Sequence, residues 1–270
     1  DPFGANSVCQ CVGYVTPAWT QVDPYARRGT YEDLRIHSDA LGSEREVQIY
    51  LPARLRTTRR YPLLIAFDGI DYLRYAALGT VLDNLMHAHE VAPVIVALCQ
   101  PGDRMQEYTG TEAPGRFVVE ELLPELERRY PVRPDPRERA MMGASLGAVA
   151  ALSAAWRHQG AFGRLLLQSG SFAFTDVGEI DDQPVFAEVA RFVNEYRAAP
   201  GRPADRLFVS CGMYEPLIYQ NRSLVALLQG TAIDLRYVEA RDGHNWENWR
   251  DRLRDGLSWL FPGPIGLIYD

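Results

Sequence analysis

The sequence predicts an α/β fold: a mostly parallel central sheet with helices on both faces and an antiparallel N-terminal edge. Three observations predict it. Continuous apolar runs at Leu63–Phe67 and at residues 94–98 read as strands buried on both faces. Such runs alternate with stretches of helical periodicity, the pattern of parallel strands joined by crossover helices. Ahead of them, residues 31–38 and 45–51 alternate in polarity around Ala40-Leu41-Gly42-Ser43, as an edge hairpin does.

The elements follow in order. Residues 1–29 carry Pro2, Gly4, Gly13, Pro17, Pro24 and Gly29 and read as an irregular N-terminal arm. Residues 30–270 read as one catalytic domain without repeats or linkers. A helix is expected over 75–89. Another, over 117–129, places Phe117, Val118, Leu122 and Leu126 on one face and stops at Pro131. Strands are expected at 139–142, 164–169, 207–210 and 235–238, with helices at 148–156, 186–198, 222–228 and 246–260. Residues 174–184 are acidic and irregular and read as a loop or lid.

Composition excludes some functions. The 270 residues carry a net charge of −7, and with no basic stripe to offset it a nucleic-acid partner is not expected. All 28 basic residues are arginine, as codon bias in a GC-rich genome produces. No apolar run reaches the ~18 residues of a membrane span. The chain starts at Asp1 instead of methionine, which fits removal of a leader. Cys9 and Cys11 lie too close to pair comfortably, while Cys99 and Cys211 end apolar runs as buried thiols do. His87 and His89, two apart on a helix, point to different faces and read as a surface pair. Neither a metal nor an organic cofactor is expected.

The chemistry centres on Gly143-Ala144-Ser145-Leu146-Gly147, between an expected strand and an expected helix. A serine on such a turn, with glycines two residues to either side, is a nucleophile elbow. A hydroxyl needs a base to take its proton, and the base needs an orienting carboxylate. Of the five histidines, His244 alone follows the last predicted strand, in Asp242-Gly243-His244-Asn245. Glu215, after the 207–210 strand, is the favoured acid. Asp242 is its rival but shares the histidine's turn, and Asp205 lies at the wrong end of its strand. The oxyanion that develops during acyl transfer needs backbone donors. Leu146 is expected to give one, and either Gly69 or Ile70, after the Leu63–Phe67 strand, the other.

Several motifs occur together in one order: Arg104-Met105-Gln106-Glu107, Glu120-Glu121-Leu122-Leu123-Pro124, the elbow, Gln168-Ser169-Gly170-Ser171, Glu215-Pro216 with Asn221, and Gly243-His244 with Trp249-Arg250. The series resembles the enterochelin (ferric enterobactin) esterases and the wider esterase D-like group of α/β-hydrolases, over roughly residues 30–260. The resemblance implies a serine esterase whose equivalents of Ser145, Glu215 and His244 form a triad or dyad, acting on catecholate siderophore trilactones. Other members of the group act on S-formylglutathione, feruloyl sugars or mycolyl sugars. The siderophore esterases also carry a separate N-terminal domain, for which the residues before Thr30 are too few.

Arg104 is expected either to contact substrate or to brace its loop by pairing with Glu107. Tyr72, Phe172 and Phe174 follow strand ends and are expected to line an acyl or aryl pocket, whereas Trp246 and Trp249 are expected in the core. The reading is a small-molecule serine esterase. A same-fold acyltransferase and a non-catalytic siderophore-binding protein are its alternatives.

Overall fold

The computed structural model describes residues 10–174 and 184–264. Eight strands form one sheet in the order β1-β2-β4-β3-β5-β6-β7-β8. β1 (Thr30–Ser38) and β2 (Ser43–Leu51) are the hairpin, and β2 runs antiparallel to β4 (Ile95–Cys99). The remaining pairs are parallel: β3 (Leu63–Phe67), β5 (Arg139–Ala144), β6 (Arg164–Gln168), β7 (Arg206–Gly212) and β8 (Asp234–Ala240). The outer strand β1 carries Glu32, Asp33, Arg35 and His37, charges that keep an open edge from pairing with other chains.

Strand side chains alternate between faces, and the core divides accordingly. Leu63, Ile65 and Phe67 pack with α6 (Leu146–Arg157), the 113–129 segment that carries α4 (Ala113–Arg116) and α5 (Leu123–Arg129), α7 (Pro184–Ala198) and α8 (Ile218–Gln229). Leu64 and Ala66 join the opposite core with α1 (Gly69–Tyr75), α2 (Leu78–His87) and α9 (Trp246–Leu260). Both faces are therefore covered. This is why β3 and β4 read as unbroken apolar runs.

Three details differ from expectation. The helix expected over 75–89 is α2 (Leu78–His87), and a further helix, α1 (Gly69–Tyr75), precedes it, the two separated at Ala77 in a left-handed conformation (φ 50°). The 117–129 helix begins earlier, at Ala113, and widens into a π turn over Phe117–Leu122. That turn precedes Pro124, whose missing N–H removes the i→i−4 bond to Glu120. A short helix α3 (Arg104–Glu107), capped by the Asp103 side chain, lies where no helix was expected. The expected loop at 174–184 falls mostly outside the described residues, as does Cys9.

Within the arm, residues 10–29 form a single short 3-10 turn, Ala18–Thr20. Asn84 of α2 donates to the carbonyls of Trp19 and Gln21, and Tyr14 donates to Asp251 of α9. The chain moves from β3 outward to β4 on one side, then returns to β5 on the other. In open α/β sheets, the crevice beyond the carboxyl ends of strands that diverge in this way is where ligands bind.

Candidate active site

Both glycines of the elbow have a steric reason. A Cβ on Gly143 would collide with the backbone of Gly147, and one on Gly147 would come within 2.8 Å of Asp68 Oδ2. Only hydrogen fits at either place. Ser145 occupies the tip at φ 57°, ψ −121°, a strained conformation for a residue with a side chain. Its backbone N–H donates to the carbonyl of Gln168 in β6, which ties the turn to the sheet.

The histidine reaches Ser145 from the other side of the crevice. Asn245 caps α9 through the N–H of Asn248, and Asn248 returns a bond to the Gly243 carbonyl, so the loop bearing His244 is braced from within. His244 Nε2 lies 3.1 Å from Ser145 Oγ. Its Nδ1 makes a short hydrogen bond to Glu215 Oε2. A carboxylate at Nδ1 holds the ring proton there and leaves the Nε2 lone pair for the serine hydroxyl.

Glu215 is 3% exposed. Burial alone would push its carboxyl up, but bonds from His244, Ser169 and Cys211 outweigh that penalty and hold it below the ordinary carboxylate range. Its Oε1 accepts from the Ser169 hydroxyl (2.7 Å), the Cys211 thiol (3.1 Å) and the Gly212 N–H. Asp242 is occupied elsewhere, accepting from the Gly243 N–H and Asn245 Nδ2. Asp205, at the amino end of its strand, pairs with Arg202.

The three aromatic pocket residues do not line a pocket. Tyr72 and Phe172 are fully buried and Phe174 nearly so. The Tyr72 hydroxyl donates to Gln168 Oε1, and its ring packs edge-on against Trp246. A strand-end position gives the right end of the sheet, but these side chains turn inward to fill its cores.

Arg104 braces through a partner other than Glu107. Its guanidinium grips the buried Asp68 with two nitrogens (3.0 and 2.8 Å to the two oxygens) and donates to the Ala144 carbonyl. It joins the turn after β3 to the elbow. Glu107, its expected partner, pairs with Arg45 at 2.7 Å and caps the Gly102 and Asp103 N–H groups. Burial pushes the Asp68 carboxyl up, with Arg104 opposing the shift.

Of the oxyanion positions, Leu146 opens α6, where the first N–H groups have no partner within the helix. Gly69 is buried, whereas Ile70 is 37% exposed and its N–H faces Gln100 Oε1 at 3.3 Å. Two features escape the sequence reading. The Ser171 hydroxyl lies 3.2 Å from Ser145 Oγ. Ile70, Met105, Met213, Tyr214 and Tyr219 form a set of exposed apolar side chains on segments that follow β3, β4 and β7. Their signal was position after a strand, the same one that misplaced Tyr72. Among the described residues no group of His, Cys, Asp and Glu could hold a metal ion. No helix there is long and apolar enough to cross a membrane.

The sequence model of the esterase family matches residues 38–260. An iron(III) enterobactin esterase of Dickeya dadantii is 29% identical over 270 residues, covering 91% of this chain and 59% of that protein. The chain thus spans about three fifths of that relative's length. An uncharacterised protein of Bacillus subtilis is 24% identical over 246 residues, covering 86% of this chain and 98% of its own. The enterobactin esterase of Shigella flexneri, crystallised in the presence of enterobactin, superposes with a TM-score of 0.76 at 23% identity over 92% of this chain and 62% of that one. A ferulic acid esterase gives 0.72 at 20% identity, covering 87% and 98%. The chain belongs to the esterase family and is a carboxylic ester hydrolase of the α/β-hydrolase fold.

Proposed function

We propose that the chain hydrolyses its ester through an acyl-enzyme on Ser145, with His244 as base and Glu215 as the orienting acid. The observation that carries this reading is the unbroken line Glu215 Oε2, His244 Nδ1, His244 Nε2, Ser145 Oγ. Ser145 Oγ attacks the carbonyl carbon as its proton passes to His244 Nε2. The carbonyl π pair moves onto oxygen, where the Leu146 N–H and that of Ile70 or Gly69 receive it. Ile70 is the better second donor, because a substrate oxygen can displace Gln100 from its long bond. When the tetrahedral intermediate collapses, the proton on His244 goes to the departing alkoxide. Water then repeats the sequence on the acyl-enzyme, returns Ser145 and releases the acid. Arg104, gripping Asp68, holds the oxyanion turn against the elbow.

The substrate we favour is an enterobactin-like siderophore ester. Its support is the set of relatives named as enterobactin esterases and the exposed apolar side chains of Ile70, Met105, Met213, Tyr214 and Tyr219 on segments that follow β3, β4 and β7. A panel of ferric enterobactin, p-nitrophenyl acetate, a feruloyl ester and an acetyl-sugar ester tests it. The highest kcat/KM should fall on ferric enterobactin. A higher value on an acetyl-sugar ester would displace the siderophore while leaving the esterase. For the mechanism, Glu215→Gln should cost about 10³–10⁴ in kcat and Asp242→Asn only a few-fold. The reverse order would transfer the acid's role to Asp242.

A further inference from the structure

Ser169 follows β6 with φ 46°, a left-handed conformation that costs on the order of 1 kcal/mol for a residue with a Cβ. Glycine would make this turn without strain. What serine adds there is a hydroxyl, fully buried, that donates to Glu215 Oε1 at 2.7 Å and accepts the Trp249 indole N–H at 2.9 Å. An indole nitrogen only donates, and a hydroxyl has a single proton. With Trp249 on one lone pair, the Ser169 proton is directed at the carboxylate.

Both members are held firmly. The Ser169 N–H donates to the Ser210 carbonyl of β7 at 2.7 Å. Trp249 is fully buried in the first turns of α9, its ring edge-on to His244 with centroids 5.0 Å apart. Its carbonyl accepts from Gln168 Nε2, while Gln168 Oε1 accepts from Tyr72. The indole is thereby anchored to the same strand end that carries Ser169.

We propose that Trp249 and Ser169 are positioning residues of the reaction, a relay that fixes the Glu215 carboxylate with Oε2 turned to His244. The strain at Ser169 is retained for its hydroxyl and not for the turn. This rests on the Ser145–His244–Glu215 reading above. The titratable groups facing the carboxylate are His244 and the Cys211 thiol. Burial pushes that thiol's pKa up, so it meets Glu215 as a neutral donor. Beyond Cys211, Glu239 is the next charge, and it is paired with Arg222.

The test uses the full chain and p-nitrophenyl acetate. Ser169→Gly relieves the backbone but leaves the Trp249 indole N–H without its acceptor, so Tm should fall by a few degrees at most, while kcat drops about tenfold with KM little changed. Its acidic limb should move to higher pH, because a carboxylate short of one donor binds the imidazolium more strongly. Ser169→Ala keeps the strain and should reproduce those kinetics even if the glycine variant folds poorly. Trp249→Phe should act in the same direction and more weakly. Combined with Ser169→Gly it should add nothing, as the indole works through the hydroxyl. Wild-type kcat and pH profile in both Ser169 variants, or a loss of kcat that only tracks Tm with the limb unmoved, would overturn the relay. Glu215→Gln run in parallel separates the two ideas. Wild-type turnover there sinks the triad reading itself, whereas a large loss there beside wild-type Ser169 variants sinks the relay alone.

Discussion

At the carboxyl ends of three neighbouring strands, β3, β5 and β6, the chain turns through a left-handed residue that is not glycine: Asp68 (φ 54°), Ser145 (57°) and Ser169 (46°). At the amino ends of the neighbouring strands the surface is knit by ion pairs instead. Glu138 meets Arg133 (3.1 Å) and Arg164 (3.3 Å), and Arg206 meets Asp234 (3.2 Å). β5 and β6 take part at both ends, so the difference is not one of sheet geometry. Each strained residue carries a side chain that glycine would forfeit: the carboxylate gripped by Arg104, the Ser145 hydroxyl that faces His244, and the Ser169 hydroxyl on Glu215. At β3, β5 and β6 a left-handed turn is kept where a side chain is required; the other left-handed residues that are not glycine among those described, Arg54, Ala77 and His89, lie in connections away from these strand ends.

Breaking the comparison begins with the largest effect. His244→Ala should lower kcat on p-nitrophenyl acetate by on the order of 10⁶ while leaving Tm near wild type, because members of such a triad act as a unit. Next is Arg104→Met, which leaves the buried Asp68 carboxylate without its cation and should cost about 3–5 kcal/mol in chemical denaturation. The sign with pH is fixed by Asp68. Its folded-state carboxyl already lies above the ordinary value of 3.8, so stability linked to it is fully present below that value and lost as pH rises through the folded one. The deficit of Arg104→Met should therefore shrink on acidification; a deficit that grows would deny that the buried charge is the cause.

Gly143→Ala, with its Cβ against the Gly147 backbone, should cost about 1–3 kcal/mol and displace the nucleophile, lowering Tm and kcat together. The smallest effect belongs to the other end. Glu138→Gln removes two partly exposed ion pairs and should cost no more than about 1 kcal/mol, with turnover unchanged. A sizeable loss of turnover there would erase the distinction between the two ends.

Much of this was legible in the sequence because it was periodic or locally spaced. β3 and α9 fall at their expected bounds, since an apolar run with Asp68-Gly69 after it and an Asn245 cap leave little freedom. The line through Ser145, Glu215 and His244 follows from their order along the chain and their places at strand ends. What escaped depends on side-chain direction and on contacts distant in sequence. The order of elements puts Tyr72 and Phe172 at the right end of the sheet, yet only their burial shows that both side chains turn into its cores. Arg104 and Glu107 looked like a local pair, yet each turns to a partner from another strand, Asp68 and Arg45. The break at Ala77 has no sequence signal, because alanine favours helix. Ser169 was visible within a motif, but only φ and its two buried hydrogen bonds give it a role.

The most direct measurement of the central claim is labelling of the full chain with a fluorophosphonate probe, followed by intact mass and peptide mapping. One adduct per chain is expected, on Ser145, abolished in Ser145→Ala and slowed by orders of magnitude in His244→Ala. Labelling of another residue at the wild-type rate in Ser145→Ala, or a wild-type chain that hydrolyses p-nitrophenyl acetate yet takes up no probe, would contradict it.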